Sequence, residues 1–257
     1  MAIQIIPKSK QASGQFNGGQ IIENKPIGFP QDGGEIRPYS NLFYWAYAEA
    51  VEESTIGLHP HQGFEIMSFV LKGAIRHYDT QLREWRRLEA GDAQIIRAGN
   101  GISHAEHLEK NAAIFQIWFD PNLGKTLEIP ASYDDYKSSV FPIVEKNNIR
   151  TKVFTGQDSP FQLDTDGLEI TERYFKNGSY ELPLDEDSIH SVYLLSGALT
   201  LNGQPVAQDD FVKITDLPSL NIESTADSKI FMVSSPKDVP YKTYGELMQE
   251  RMSRRSM

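Results

Sequence analysis

The sequence predicts an all-β chain built as two similar barrel units, with one short helix at the C-terminus. Three observations predict it: short β-rich runs recur between turn residues, one strand–turn–strand motif occurs twice, and helical signals are scarce before residue 240. The runs are Phe64–Leu71, Ala93–Arg97, Ala113–Phe119, Ser191–Leu195, Ala198–Leu201 and Ser228–Val233. Many are bounded by Gly, Asn or Asp, the punctuation of an antiparallel sandwich or barrel. The motif is Phe69-Val70-Leu71-Lys72-Gly73-Ala74-Ile75, echoed by Tyr193-Leu194-Leu195-Ser196-Gly197-Ala198-Leu199. A polar turn follows each copy, Glu89-Ala90-Gly91-Asp92 in one and Ala207-Gln208-Asp209-Asp210 in the other, which points to duplication of one unit. The helix is expected over Tyr244 to Arg255, after the breaker Pro240. The polar stretch from about 133 to 155, broken by Pro142 and Asn147-Asn148, reads as a linker, so the units are expected at 1–135 and 136–257.

Composition narrows the function. The chain has 257 residues, enough to bury a real core in one large or two small domains. No apolar run approaches the roughly 18 to 20 residues of a membrane span, and no secretory signal is visible after Met1, so a cytoplasmic, membrane-free protein is expected. The absence of cysteine removes disulfides, thiolate metal sites and cysteine nucleophiles, and suits a reducing compartment. A formal charge of −10 argues against direct nucleic-acid binding, which needs basic surface. The one basic cluster, around Arg251, Arg254 and Arg255, reads as a solvated helix end. Gly-x-Ser-x-Gly, phosphate-loop and dinucleotide fingerprints do not occur.

Four of the six histidines fall in two clusters, His59-Pro60-His61 and His104-Ala105-Glu106-His107. Residues i and i+2 of a strand share a face, so His59 and His61 can aim two imidazoles at one point. His104 and Glu106 can do the same from a neighbouring strand, delivered by the turn Ala98-Gly99-Asn100-Gly101. Three imidazoles and a carboxylate suit one divalent transition metal of borderline softness: Fe, Mn, Co, Ni, Cu or Zn. Four such ligands on an ion that prefers six leave about two positions for water, substrate or dioxygen. Glu65 is in phase with His59 and His61 and rivals Glu106. It lies about 13 Å beyond His61 along an unbent strand, whereas Glu106 is one repeat, about 6.5 to 7 Å, from His104. Accepting a hydrogen bond from a ligand histidine is the expected role of Glu65. His107 is out of phase and reads as outward, and His77 reads as structural.

The blocks His59-Pro60-His61-Gln62-Gly63-Phe64-Glu65, Leu71-Lys72-Gly73, His77-Tyr78-Asp79, Gly91-Asp92-Ala93-Gln94, the run from Ala98 to Glu106, and Gln116-Ile117-Trp118 resemble, in order, the pirin family of bicupins. The match spans about 57 to 119, and a weaker one from about 165 to 235 resembles the family's second, metal-free barrel. The resemblance implies two stacked cupin (double-stranded β-helix) barrels. It implies a mononuclear iron site in the first, with ligands carried over onto His59, His61, His104 and Glu106. It also implies a quercetin 2,3-dioxygenase activity on flavonols or other phenols, with a small aromatic substrate, dioxygen and Glu106 as ligand and base. The alternative it offers is a non-catalytic metal- and redox-sensing co-regulator of transcription acting through protein partners.

In the C-terminal half, His190 has no His-x-His partner, and one imidazole does not hold a catalytic metal. Among Trp45, Phe115, Trp118, Met67 and Phe69, most read as barrel core, and Trp118 is kept as a candidate wall of a substrate pocket.

Overall fold

The computed structural model describes residues 2–156 and 158–255, with the backbone alone at 249 and 251–255. Each of two units pairs a seven-stranded antiparallel sheet with a four-stranded one. In the histidine-bearing unit the large sheet runs Ser132–Tyr136, Ala93–Arg97, Glu65–Lys72, Ala113–Phe119, Leu42–Ala50, Ile21–Ile27, Ala12–Phe16. Its four-stranded partner runs Ser54–His61, Ile102–Leu108, Ala74–Asp79, Trp85–Glu89. The central strands of the large sheet are buried on both faces, which is why Glu65–Lys72 and Ala113–Phe119 read as almost unbroken apolar runs. Ile66, Met67, Phe69, Phe115 and Ile117 are all 1% exposed or less and fill the two faces of these strands.

The internal echo has a structural meaning. Strand Glu65–Lys72 lies in the large sheet, and after Gly73 the chain crosses into the small sheet as Ala74–Asp79. In the other unit, Ser188–Ser196 lies in the large sheet and Leu199–Leu201 in the small one, with Gly197 between them. Both glycines adopt left-handed backbone, φ 69° and 91°. A Cβ at Gly197 would fall 2.1 Å from Ser228 Oγ, so any side chain there displaces the neighbouring strand.

Two expectations are corrected. The stretch 133–155 is not a linker: Ser132–Tyr136 pairs with Ala93–Arg97, and Ile143–Lys146 forms a hairpin with Ile149–Val153. Its two-residue turn, Asn147-Asn148, has φ of 52° and 60°, a conformation asparagine tolerates and tight hairpins require. The unit boundary therefore falls near 138, and the chain ends are exchanged relative to the expected 1–135 and 136–257. Residues 1–10 belong with 139–162 and 167–238, because Ile3–Ile6 pairs with Phe211–Ile214 and buries Ile3 in that unit's core. Residues 239–257 and 163–166 belong with 11–138. The helix Tyr244–Arg255 forms where expected, opened by a capping box in which Glu246 accepts from Thr243 N at 2.8 Å. Tyr241 and Tyr244 tie it down: Tyr241 Oη donates to the Asp120 carbonyl at 2.7 Å, and Tyr244 N donates to the Asp120 carboxylate. The side chains of Arg251, Arg254 and Arg255 lie outside the described residues. No helix among the described residues is long and apolar enough to cross a membrane.

Candidate metal centre

Strand Ile102–Leu108 runs between Ser54–His61 and Ala74–Asp79, so both histidine clusters reach one place. Its register places His104 opposite His59 and Ile102 opposite His61. Glu106 lies opposite Ile56, so three steps on one strand meet two on the other. That bulge at Gly57-Leu58 changes which face the strand presents. It leaves Leu58 59% exposed and turns His59 and His61 toward His104. The ring centroids lie 4.8 Å apart for His59 and His61, 4.4 Å for His59 and His104, and 4.8 Å for His61 and His104. One ligand atom from each imidazole lies within 4.8 Å of the other two.

The electrostatics favour neutral rings. Burial, and then the neighbouring His104 and His59, push the His61 imidazole down to about 3. Burial, then His59 and His77, hold His104 well below the usual histidine range. His59 Nδ1 donates to the Gly57 carbonyl at 2.8 Å, which leaves its Nε2 lone pair free. His104 is 0% exposed, and its Nδ1 has no hydrogen-bond partner among the protein groups. Converging imidazoles, with His61 and His104 held neutral, fit a borderline divalent ion.

Glu106 is 1% exposed and stands beside this cluster rather than in it. It accepts from Gln116 Nε2 at 2.6 Å, Ser68 Oγ at 3.1 Å and Gln94 Nε2 at 3.4 Å. Its charge favours the protonated form of His61, so the carboxylate and the ring interact. The structure thus brings three of the four expected residues together and holds the fourth in an amide cage next to them. Glu65 does not bond a histidine, contrary to expectation. Both of its oxygens are taken by backbone: Asp164 N donates to one at 2.7 Å and Thr165 N to the other at 2.8 Å. It anchors the segment 163–166 to its unit.

His77 is fully buried, bonded through Nε2 to Asp79 Oδ2 at 2.7 Å and stacked on Tyr133 at 4.2 Å and 7°. His107 Nδ1 bonds Thr55 Oγ1 at 2.9 Å. In the other unit, both nitrogens of His190 are engaged: Nε2 donates to the Asp185 carbonyl at 3.0 Å, and Nδ1 lies 2.8 Å from Ser234 Oγ. Trp45, Phe115, Met67 and Phe69 are core. Trp118 packs edge-on to His61, with centroids 4.8 Å apart, and joins Phe29, Phe43, Tyr44 and Phe64 in an aromatic cluster. Tyr244 from the C-terminal helix covers this cluster, 5.4 Å from both Phe43 and Phe64. A shallow depression of about 440 Å³ opens beside His61, between Gln62, Thr80 and Ser103. Sequence reasoning missed Ser68, Gln94 and Gln116. The available signal was one polar residue inside each of three strands whose interiors are otherwise apolar.

Comparison with known proteins bears on the family and the fold. The family model described as Pirin matches residues 36–119. A pirin-like protein of Caulobacter vibrioides is 30% identical over 203 residues, covering 76% of this chain and 83% of that one. A quercetin 2,3-dioxygenase of Escherichia coli is 25% identical over 192 residues, covering 70% of this chain and 76% of that one. Among solved structures, the nickel(II) complex of a bacterial pirin from Escherichia coli superposes with a TM-score of 0.74 at 21% identity, covering 92% of this chain and all of that one. A quercetin 2,3-dioxygenase from Acinetobacter baumannii gives 0.77 at 19% identity, covering 99% and 88%. These structural likenesses carry the two-barrel fold.

Proposed function

Since the chain belongs to the pirin family, we propose that it binds one divalent transition metal through His59, His61 and His104, with Glu106 as the fourth ligand, and oxidises flavonol-like phenols with dioxygen. The observation that carries the reading is the convergence of three imidazoles, His61 and His104 held neutral by burial, beside a buried carboxylate. When bound, the ion supplies Lewis acidity that lowers the pKa of a coordinated phenol. Iron is the favoured metal on the family resemblance; the donor set alone accepts Mn, Co, Ni, Cu or Zn.

The chain's own residues supply the rest. His59 is held in one tautomer by the Gly57 carbonyl, so its Nε2 is oriented without a further conformational cost. Among the described residues, Glu106 is the carboxylate beside the histidine cluster that side chains hold, whereas Asp79 and Glu65 accept from backbone N–H. Glu106 takes the phenolic proton, a transfer to a group within hydrogen-bond reach that contributes typically about 10²–10⁴-fold. Trp118, edge-on to His61, supplies an aromatic wall against which a planar ring can lie.

Quercetin incubated under air with Fe-, Mn- or Ni-loaded protein tests this reading. The expected result is oxygen uptake with bleaching of the flavonol, lost in Glu106→Gln. Full metal loading without oxygen uptake on any phenol would overturn the dioxygenase assignment. It would favour a metal- and redox-responsive protein that acts through a protein partner.

A further inference from the structure

We infer that Gln116 is a positioning residue for Glu106, and that Trp118 sets the direction in which the Gln116 amide acts. The inference rests on the proposed metal centre and deepens it. Three adjacent strands of the large sheet place Gln116 directly opposite Ser68, and Ser68 directly opposite Gln94. Their neighbours on the same face, two residues along each strand, are Ile114, Trp118, Ile66, Val70 and Ile96, all core. One polar row thus crosses an otherwise apolar floor. Burying such groups costs free energy unless each is hydrogen-bonded, and all three converge on the Glu106 carboxylate.

The direction of the Gln116 amide follows from its other end. An indole N–H only donates, so the Gln116 atom 3.1 Å from Trp118 Nε1 is the carbonyl oxygen. The amide nitrogen must then face Glu106, and it lies 2.6 Å from Oε2. On the other side the carboxylate itself fixes the direction: it only accepts, so the Gln94 atom 3.4 Å from Glu106 Oε1 is Nε2, and Gln94 Oε1 is left to accept from Tyr133 Oη at 3.2 Å. Each glutamine is capped at its oxygen by an aromatic donor and presents only N–H to the carboxylate. Glu106 Oε2 is gripped by Gln116 and Oε1 by the Ser68 hydroxyl, with Gln94 at longer range. Of these contacts the one from Gln116 is the shortest, and a charge-assisted bond of this length is about twice as strong as a neutral one. Gln116 therefore governs how the carboxylate is presented to the histidines. Trp118 acts on it through the amide, in addition to its packing on His61.

Cobalt(II) is the probe. Its affinity is read by competition with a chelator, and its d–d absorption reports ligand geometry. Gln116→Leu is expected to weaken Co(II) binding about 10- to 100-fold, the usual effect of removing such an outer partner, and to change the spectrum while the fold is retained. Trp118→Phe keeps an aromatic ring against His61 but loses the N–H. It should weaken binding in the unsubstituted background and add nothing in the Gln116→Leu background. Unchanged affinity and spectrum in Gln116→Leu would overturn the inference, as would a Trp118→Phe effect of equal size in both backgrounds. If the unsubstituted protein takes up no Co(II), the metal centre itself is refuted. Positioning is then decided by the crystal structure of metal-free Gln116→Leu. A reoriented Glu106 carboxylate supports it, and an unmoved one contradicts it.

Discussion

His61 Nε2 lies 3.0 Å from His104 Nε2, although 43 residues separate them in the chain. Two imidazoles at that distance cannot both be charged, and burial pushes both toward the neutral form. The consequence for stability has a definite sign. Unfolded histidines take up protons near 6.5, whereas folded His61 does so only at about 3. Between those values the unfolded chain binds more protons, so stability rises with pH across that window. Chemical denaturation from pH 4 to pH 7 should show this slope, and His61→Ala should reduce it. An unchanged slope in that variant would contradict the assignment.

Asp120 should act with the opposite sign. Burial raises its carboxyl from 3.8 to about 7, although Tyr244 N donates to it. The folded chain therefore binds the extra proton between those values, and this group's contribution to stability falls as pH rises from about 4 to 7. Asp120→Asn keeps an acceptor for Tyr244 and removes the buried charge. It should raise the melting temperature at pH 8 by several degrees, since about 1 kcal/mol is worth 2–4 °C in a chain of this size. Thermal melts at pH 5 and pH 8 check it, and a larger gain at pH 5 than at pH 8 would contradict it.

Glu65 and Glu106 should separate cleanly. Glu106→Gln should lower metal affinity and any dioxygenase activity, because the variant loses the proposed anionic ligand and base. Glu65→Gln should leave metal content nearly intact and instead destabilise the fold by about 1–3 kcal/mol, since both backbone N–H groups lose a charged acceptor and one of them is left facing an amide NH2. Metal titration and denaturant melts on both variants decide the point. Loss of metal from the Glu65 variant alone would reverse the roles.

Tyr244 should control access to the aromatic cluster beside His61. Its ring covers Phe43 and Phe64, and Trp118 beneath is 9% exposed. Tyr244→Ala should increase quenching of tryptophan fluorescence by acrylamide and lower KM for a flavonol more than it changes kcat. Unchanged quenching and KM would show that the helix does not guard this face.

The legible part of the site is the part written in local periodicity. His59 and His61, or His104 and Glu106, share a face because strands repeat every two residues. The repeated strand–Gly–strand motif at Gly73 and Gly197 is legible for the same reason, since left-handed backbone demands glycine there. The roles that escape are set by register and by contacts distant in sequence. Glu65 is in phase with the histidines, yet its partners lie 99 and 100 residues away. Gln116, Ser68 and Gln94 become one row only when three strands are aligned. The exchange of chain ends depends on Ile3 and Tyr244 finding cores in units that their sequence neighbours do not share.

The most direct test of the central claim is elemental analysis of the purified protein beside its His61→Ala variant. Three converging imidazoles predict close to one transition metal ion per chain in the first and a large loss in the second. Full metal content in His61→Ala, or none in the unsubstituted protein after loading, would contradict the metal centre.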